Sequence, residues 1–180
     1  AFVGADGGDS MIVEEVAFRW MIVKFPPALH IVKLVLEVHG AKKSYGERVI
    51  LTDAELTLAR GEAIALVGAN GTGKSTVMRM LVGEESYEGE IKLGHQVTIG
   101  YYAQDMPDRL DPTLTIMETA EQAASDDNRP KVRGMLGAFL FSGDDVDKKV
   151  KVLSGGERAR VALCCMLLRP LNFILLDEPT

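Results

Sequence analysis

The sequence contains few of the residues that mark disulfide-bonded or nucleic-acid-binding proteins. Its 180 residues include two cysteines, the adjacent Cys164 and Cys165, which are poorly placed to pair with each other. We expect them to be packed thiols in a reducing compartment, the cytoplasm, with no cysteine-based metal site. Acidic residues outnumber basic ones by 26 to 20. The resulting net charge of −6 excludes a general electrostatic attraction to RNA or to an anionic membrane.

Long apolar runs are also missing. The segment from Met11 to Leu36 is rich in apolar residues, but charges and the Pro26-Pro27 pair interrupt every window of about 18 residues. We therefore expect no membrane span in this chain. The segment is instead predicted to form a helix, a turn and a strand, preceded by a glycine-rich, polar and disordered start.

A glycine-rich turn between a predicted strand and a predicted helix is the strongest chemical signal. It runs from Gly68 to Thr76 and follows the apolar stretch Ala63 to Val67. Such a turn directs backbone N–H groups into one concavity, while a lysine reaches the outer phosphates of a nucleotide and a hydroxyl holds magnesium. The lysine is Lys74 and the hydroxyl is that of Ser75. The predicted binding residues are Gly68, Asn70, Gly71, Thr72, Gly73, Lys74, Ser75 and Thr76.

A second pattern, Leu153-Ser-Gly-Gly-Glu-Arg158, opens a predicted buried helix that ends before Pro170. In one interpretation, Ser154 and Glu157 form a capping box and the glycines only permit a tight turn. In the other, the same residues have a function beyond capping. The pattern by itself leaves both interpretations open.

Two acidic residues end the next apolar run, Leu171 to Leu176. This run is predicted to be a buried parallel strand, and the carboxyl ends of such strands are where open α/β sheets place their chemistry. Asp177 can bind magnesium, and Glu178 can accept a proton from an attacking water. The alternative is a pair of solvated acids that close a strand.

Together, in this order, the phosphate loop, the Ser-Gly-Gly-Glu pattern and the Asp-Glu strand end resemble the ATP-binding cassette (ABC) superfamily over about residues 35 to 180. The resemblance implies two further roles. Gln104 matches the glutamine loop, whose amide contacts magnesium and senses the γ-phosphate; by residue type it is an ordinary loop glutamine. Tyr45 matches the aromatic residue that stacks on adenine; the competing interpretation is a tyrosine that packs against its turn.

Within the superfamily the sequence is most similar to ABC-F proteins, tandem-cassette ATPases that act on ribosomes, and especially to their second cassette. Stretches at Gly100 to Gln104, Met135 to Asp145, Val150 to Arg158 and Leu175 to Thr180 carry this resemblance. The implied fold class is α/β, a P-loop NTPase of the ABC type with a small helical lobe at about residues 105–153. We expect residues 1–32 to be a disordered start and the end of an inter-cassette linker, and residues 33–180 to be a C-terminally truncated cassette.

The resemblance implies ATP and Mg²⁺ as ligands, with Lys74, Gln104 and Glu178 acting in hydrolysis. Ser75, Gln104 and Asp177 would surround the metal. A second cassette would complete the site, because Ser154, Gly155, Gly156 and Glu157 serve a partner's ATP in trans. The ribosome is the expected partner through other parts of the protein. Two alternatives remain: the ATPase subunit of a membrane transporter, and a fragment that binds nucleotide without hydrolysis.

Overall fold

The computed structural model describes the backbone of residues 13–14 and 20–24, and both backbone and side chains of residues 34–178. The chain divides into two compact units, residues 1–97 and residues 98–180. The α/β character predicted from the sequence is confirmed, since both units contain strands and helices. The boundary at residue 33 and the limits of the helical lobe stay predictions.

A long antiparallel hairpin dominates the first unit. Its strands are β3 (Leu34–Tyr45) and β4 (Arg48–Ala59), and β6 (Glu88–Leu93) pairs with the other edge of β3. The two-residue turn begins at Gly46, whose φ of +58° favours glycine in such tight hairpins. Apolar side chains of the hairpin, including Leu36, Ala41 and Leu51, are buried. Each of the two hairpin strands is 12 residues long.

The strand that leads into the glycine-rich turn is β5 (Ile64–Gly68), and it is followed by α1 (Lys74–Leu81). Both elements were predicted. β5 pairs antiparallel with β2 (Trp20–Lys24), which also pairs with β1 (Val13–Glu14). The predicted helix between Met11 and the prolines is therefore wrong where the structure describes this segment. Aromatic and β-branched residues in β2 suit a strand, and pairing with a distant strand overrides local helix propensity.

Two parallel strands and one long helix organise the second unit. β7 (Ile99–Tyr102) pairs in parallel with β8 (Phe173–Leu176), and α4 (Gly155–Leu167) covers one face through contacts of Ala162 and Met166 with the buried Tyr102. The predicted parallel strand is confirmed, but its burial is one-sided. Leu175 is 6% exposed, whereas Ile174 and Leu176 are each 42% exposed.

Helical segments between β7 and α4 form a separate apolar core. They are α2 (Ile116–Ala123), which begins with a capping box, and α3 (Val132–Ala138). The sequence analysis predicted helical structure here without placing individual helices, and four short 3₁₀ segments also belong to this region. These segments are Met106–Arg109, Arg129–Lys131, Gly143–Asp147 and Val150–Val152. Apolar side chains from α2, α3 and α4 form this core, and Ile116, Leu136 and Val161 in it are fully buried.

The two cysteines lie buried on α4 and are unpaired, as predicted. Burial raises the pKa of Cys164 to about 12 and that of Cys165 to about 11, so that both thiols are protonated at neutral pH.

Among the described residues, no helix is long and apolar enough to cross a membrane.

Candidate nucleotide-binding site

The glycine-rich turn connects β5 to α1 as the sequence predicted. Gly71 and Gly73 have φ values of +75° and +106°, which side-chain-bearing residues rarely adopt. A Cβ atom at Gly73 would also overlap the Ile50 side chain of β4. A hydrogen bond within the turn stabilises it: the hydroxyl of the buried Thr72 donates to the Ala69 carbonyl oxygen at 2.9 Å.

The N-terminus of α1 presents donors without intrahelical partners. The first intrahelical bond runs from the N–H of Val77 to the carbonyl oxygen of Gly73 at 3.0 Å, and Gly73 provides no side-chain cap. The N–H groups of Lys74, Ser75 and Thr76 precede that bond in the chain. Helix N-termini with such groups and a glycine-rich approach bind anions through hydrogen bonds and the helix dipole.

The Lys74 ammonium already contacts the loop. Its Nζ donates to the carbonyl oxygens of Gly68 at 2.9 Å and Ala69 at 3.0 Å. Both oxygens are neutral acceptors, and phosphate oxygens are stronger, charged ones. The role of this ammonium as a phosphate ligand stays a prediction.

Arg48 is a contact residue that the sequence analysis missed. It faces Tyr45 across the hairpin turn, and its guanidinium donates to the carbonyl oxygen of Gly71 in the glycine-rich loop. The contact joins the hairpin end that carries Tyr45 to the loop. Only the two-residue turn at Gly46, which pairs positions 45 and 48, could have indicated this placement.

Tyr45 lies at the end of β3 with 45% of its surface exposed. Its hydroxyl donates to Glu85 Oε1 at 2.7 Å, and the Lys43 Nζ lies 4.7 Å from the ring centroid. The ring is therefore at the surface rather than packed into its turn. Its role as an adenine platform stays a prediction.

In the second unit the structure brings together three predicted residues. Asp177 continues the β7–β8 ladder, with its N–H donating to the Tyr102 carbonyl oxygen at 3.0 Å, and its side chain is 6% exposed. The Gln104 Nε2 donates to Glu178 Oε2 at 3.4 Å. Glu178 has a φ of +48°, a conformation that costs a non-glycine residue about 1–2 kcal/mol. Such strain is found preferentially at functional sites.

Tyr101 is a second residue that the sequence analysis did not assign. Its hydroxyl donates to Asp177 Oδ2 at 3.4 Å. Tyr101 and Asp177 both lie at the carboxyl ends of adjacent parallel strands, which is why they meet. The signal was the alternation within Gly100-Tyr-Tyr-Ala-Gln104, where the buried Tyr102 and the half-buried Tyr101 point to opposite faces.

At the start of α4, the capping-box interpretation is confirmed. The Ser154 hydroxyl accepts from the Glu157 N–H at 3.3 Å, and Glu157 Oε2 accepts in return from the Ser154 N–H at 2.8 Å and from the Ser154 hydroxyl at 2.6 Å. The Ser154 hydroxyl, followed by its N–H, lowers the pKa of Glu157, so the carboxylate is charged at the positive end of the helix. The signature interpretation is compatible with this cap and stays a prediction.

The described part of the structure does not explain the two glycines of this pattern. Gly155 and Gly156 lie in the first turn of α4, both are exposed, and a Cβ atom on either would meet nothing within 4 Å. Neither has a positive φ. Glycine is the least favourable helix residue after proline, so packing and backbone geometry leave its presence here unexplained. A close approach by another molecule would explain it.

The oxygen donors fit magnesium. Asp177 offers a buried carboxylate, and the hydrogen bond of Gln104 to Glu178 uses the amide nitrogen and not the amide oxygen. Ser75 lies in the first turn of α1 in the first unit, and its role as a metal ligand stays a prediction. Hard oxygen ligands suit Mg²⁺, which is bound through one or two carboxylates plus substrate phosphates. Within residues 34–178 no group of three or more His, Cys, Asp or Glu side chains could hold a metal ion.

Comparisons with known proteins agree with these motifs. The family described as ABC transporter matches residues 51–180. ABC transporter F family member 5 of Arabidopsis thaliana is 37% identical over 164 residues, which cover 90% of this chain and 24% of the relative. F family member 2 of the same plant is 35% identical, with the same coverage. The ATP-binding protein Uup of Haemophilus influenzae is 39% identical over 153 residues, which cover 82% of this chain and 24% of the relative.

The protein is a nucleotide-binding domain of the P-loop class. This class is defined by a glycine-rich phosphate loop between a strand and a helix, and the same chain also has an acidic strand end. The chain belongs to the ABC transporter family. The predicted resemblance to the ABC-F branch is confirmed by the F family members among its relatives. The chain spans about a quarter of the length of these relatives. The roles of individual residues stay predictions.

Proposed function

We propose that this chain binds and hydrolyses ATP as a cassette of an ABC-F-type protein that acts on the ribosome in the cytoplasm. One observation carries the hydrolytic part of this proposal. At the carboxyl ends of β7 and β8, a buried carboxylate at Asp177 lies next to the exposed, strained Glu178, and the Gln104 amide contacts that glutamate. Two carboxylates with different exposure suit different tasks, one as a metal ligand and one as a base.

Phosphate binding follows from the first unit. The α1 N–H groups would receive the phosphate oxygens, and Lys74 would exchange the carbonyl oxygens of Gly68 and Ala69 for the β- and γ-phosphates. Tyr45 would stack on the adenine ring. Magnesium, held by Ser75, Gln104 and Asp177, would supply charge neutralisation at the phosphates.

The chemical step requires a base for water. Glu178 would accept a proton as the water oxygen forms a bond to the γ-phosphorus, while the bond from that phosphorus to the bridging oxygen breaks and ADP leaves. Gln104 would position both the glutamate and the water. Its 3.4 Å bond to Glu178 is long, as such bonds are in sites without substrate, and we expect it to shorten when ATP binds.

A second cassette is the proposed partner at α4. The bare surface of Gly155 and Gly156 would let a nucleotide bound to the other cassette approach the N–H groups and dipole at the start of α4. Ser154 and Glu157 would hold that helix start in place through their cap. Closure of the two cassettes on ATP would be the working motion, and hydrolysis would release it.

The ribosome assignment rests on the similarity to F family proteins. The chain's net charge of −6 means that basic contacts to ribosomal RNA would have to come from other parts of the protein. The transporter interpretation shares every nucleotide motif and would require a membrane partner.

The test is steady-state ATP hydrolysis by the protein that carries this chain, with and without purified ribosomes. We expect stimulation by ribosomes, and at least about a 100-fold loss of turnover with retained ATP binding in Glu178→Gln, because removal of a general base costs about that factor or more. A variant with near-normal turnover would refute the base. Unchanged turnover with ribosomes, together with copurification of a membrane partner, would favour the transporter interpretation.

A further inference from the structure

A small polar cluster surrounds Tyr45, and the sequence analysis did not anticipate it. Lys43 and Tyr45 are two positions apart in β3, so both side chains project from the same face of the strand. Glu85 and Ser86 lie in the segment that joins α1 to β6. The four residues come together over a separation of about 40 positions in the chain, and we call them the Lys43 cluster.

The Lys43 ammonium is fully engaged in this cluster. It donates to Glu85 Oε2 at 2.9 Å, to the Ser86 carbonyl oxygen at 2.6 Å and to the Ser86 hydroxyl at 3.2 Å. An ammonium group has three donors, and all three are used. The Lys43 side chain is 8% exposed. It is therefore held in place and is not a solvated surface charge.

Glu85 connects this ammonium to the tyrosine. While Oε2 accepts from Lys43, Oε1 accepts from the Tyr45 hydroxyl at 2.7 Å. The hydrogen bond from Lys43, and then that from Tyr45, lowers the pKa of Glu85, so the carboxylate is charged at neutral pH. One carboxylate thus fixes both the ammonium and the end of the aromatic ring.

The ring is consequently held at its face and at its edge. Lys43 Nζ lies 4.7 Å from the ring centroid, within the distance of a cation–π contact, and it covers one face. The hydroxyl is held by Glu85. Tyr45 nevertheless remains 45% exposed, so part of its surface is accessible to a planar ligand.

We propose that Lys43 and Glu85 are positioning residues that hold Tyr45 as a preorganised platform for the base of the bound nucleotide. This inference rests on the proposed function, in which Tyr45 meets adenine. A ring that is already fixed loses less conformational freedom when a base stacks on it, so the base binds more tightly. The ammonium behind the ring also draws electron density away from the face that meets the base, which reduces repulsion between two stacked π faces.

The cluster also sets the position of the platform relative to the phosphate loop. Glu85 and Ser86 follow α1, the helix that begins at that loop, and Arg48 joins the same hairpin end to the Gly71 carbonyl oxygen. The hairpin end is therefore attached at two points within the first unit. We infer that these attachments fix the spacing between base and phosphates, and so favour a nucleoside triphosphate over inorganic triphosphate.

The experiment compares the dissociation constants of ATP and inorganic triphosphate by calorimetry, using the protein that carries this chain. The dissociation constant of triphosphate divided by that of ATP, called the ratio below, isolates the contribution of the nucleoside. Stacking of a base on an aromatic side chain is worth about 5- to 150-fold in affinity, so we expect Tyr45→Ala to lower the ratio within that range. Glu85→Ala and Lys43→Met should each lower it about 5-fold or more and leave triphosphate binding unchanged. Glu85→Gln, which retains shape, should lower it less.

Matched controls lie next to each residue. Glu84→Ala and Lys42→Met change exposed neighbours outside the Lys43 cluster and should leave the ratio unchanged. In a Tyr45→Ala background, Glu85→Ala should have no further effect on the ratio, whereas a purely structural role would lower thermal stability equally in both backgrounds.

Two failures are distinguishable. If Tyr45→Ala lowers the ratio but Glu85→Ala and Lys43→Met do not, the tyrosine binds the base and the positioning role is refuted. If Tyr45→Ala also leaves the ratio unchanged, the adenine contact in the proposed function is itself wrong. If Glu85→Ala does not fold, the ratio is measured with Glu85→Gln, which retains the shape of the side chain.

Discussion

Functional side chains in the two units are held in different ways. In the first unit, Lys74, Tyr45 and Lys43 make hydrogen bonds of 2.6–3.2 Å to neighbouring groups. In the second unit, the bonds of Tyr101 to Asp177 and of Gln104 to Glu178 are both 3.4 Å, beyond the usual range for strong hydrogen bonds. The first unit is thus preorganised for binding, whereas the acidic strand end is arranged loosely and would tighten with substrate.

The largest expected effect tests the preorganised side of this comparison. Lys74→Ala removes an ammonium that would form charge-assisted bonds to phosphate, each worth about 1.5–3 kcal/mol. We expect ATP affinity to fall about 100-fold, measured by calorimetry. Lys92→Ala is the control, because Lys92 is 56% exposed and pairs with Glu90 on β6. Equal affinity in wild type and Lys74→Ala would show that the loop amides suffice.

A smaller effect should separate the two loop glycines. Alanine at Gly71 meets the strain of a φ of +75° but open space, whereas alanine at Gly73 meets a φ of +106° and overlaps Ile50. We expect Gly71→Ala to cost about 1–2 kcal/mol of unfolding free energy, and Gly73→Ala to cost more. Urea unfolding of the 180-residue chain measures both. Equal losses would mean that Ile50 moves aside without cost.

The same comparison shows which contacts the sequence could predict. Local signals identified β5, α1, α4 and β8, because a glycine-rich turn, a capping box and an apolar run each act over a few residues. The Lys43 contact with Glu85 joins positions 42 apart and has no local signature. β2 was mistaken for helix because its pairing with β5 is also non-local.

The glycines at the start of α4 allow a test in which the two measured effects have opposite signs. Gly156→Ala should raise the unfolding free energy of the chain by up to about 1 kcal/mol, because alanine favours helix and its Cβ meets nothing within 4 Å. In the protein that carries this chain, the same change should weaken ATP-dependent closure on the second cassette.

Gly137→Ala is the matched control for this test, since that position lies in α3 and its Cβ also meets nothing within 4 Å. It should stabilise the chain and leave closure unchanged, as read by fluorescence energy transfer between labelled cassettes. If Gly156→Ala closes as well as wild type, the glycine surface is not the contact with the partner's nucleotide.

The smallest effect concerns the loosely held acids. Tyr101→Phe removes the hydroxyl that contacts Asp177 Oδ2, so the carboxylate would lose one restraint on its orientation. Since a neutral hydrogen bond contributes about 0.5–1.5 kcal/mol, we expect the Mg²⁺ concentration for half-maximal ATP binding to rise about 2- to 10-fold. Fluorescent-nucleotide titrations at varied Mg²⁺ measure this, and affinity without Mg²⁺ should not change.

Tyr102→Phe separates this effect from general loss of packing. Tyr102 is 2% exposed and its hydroxyl donates to the Ala159 carbonyl oxygen at 3.3 Å, on the α4 side of β7. That variant should lower thermal stability and leave the Mg²⁺ requirement unchanged. If both variants shift the Mg²⁺ requirement equally, the effect comes from the strand as a whole. Asp177 would then be oriented by the β7–β8 backbone ladder rather than by the Tyr101 hydroxyl.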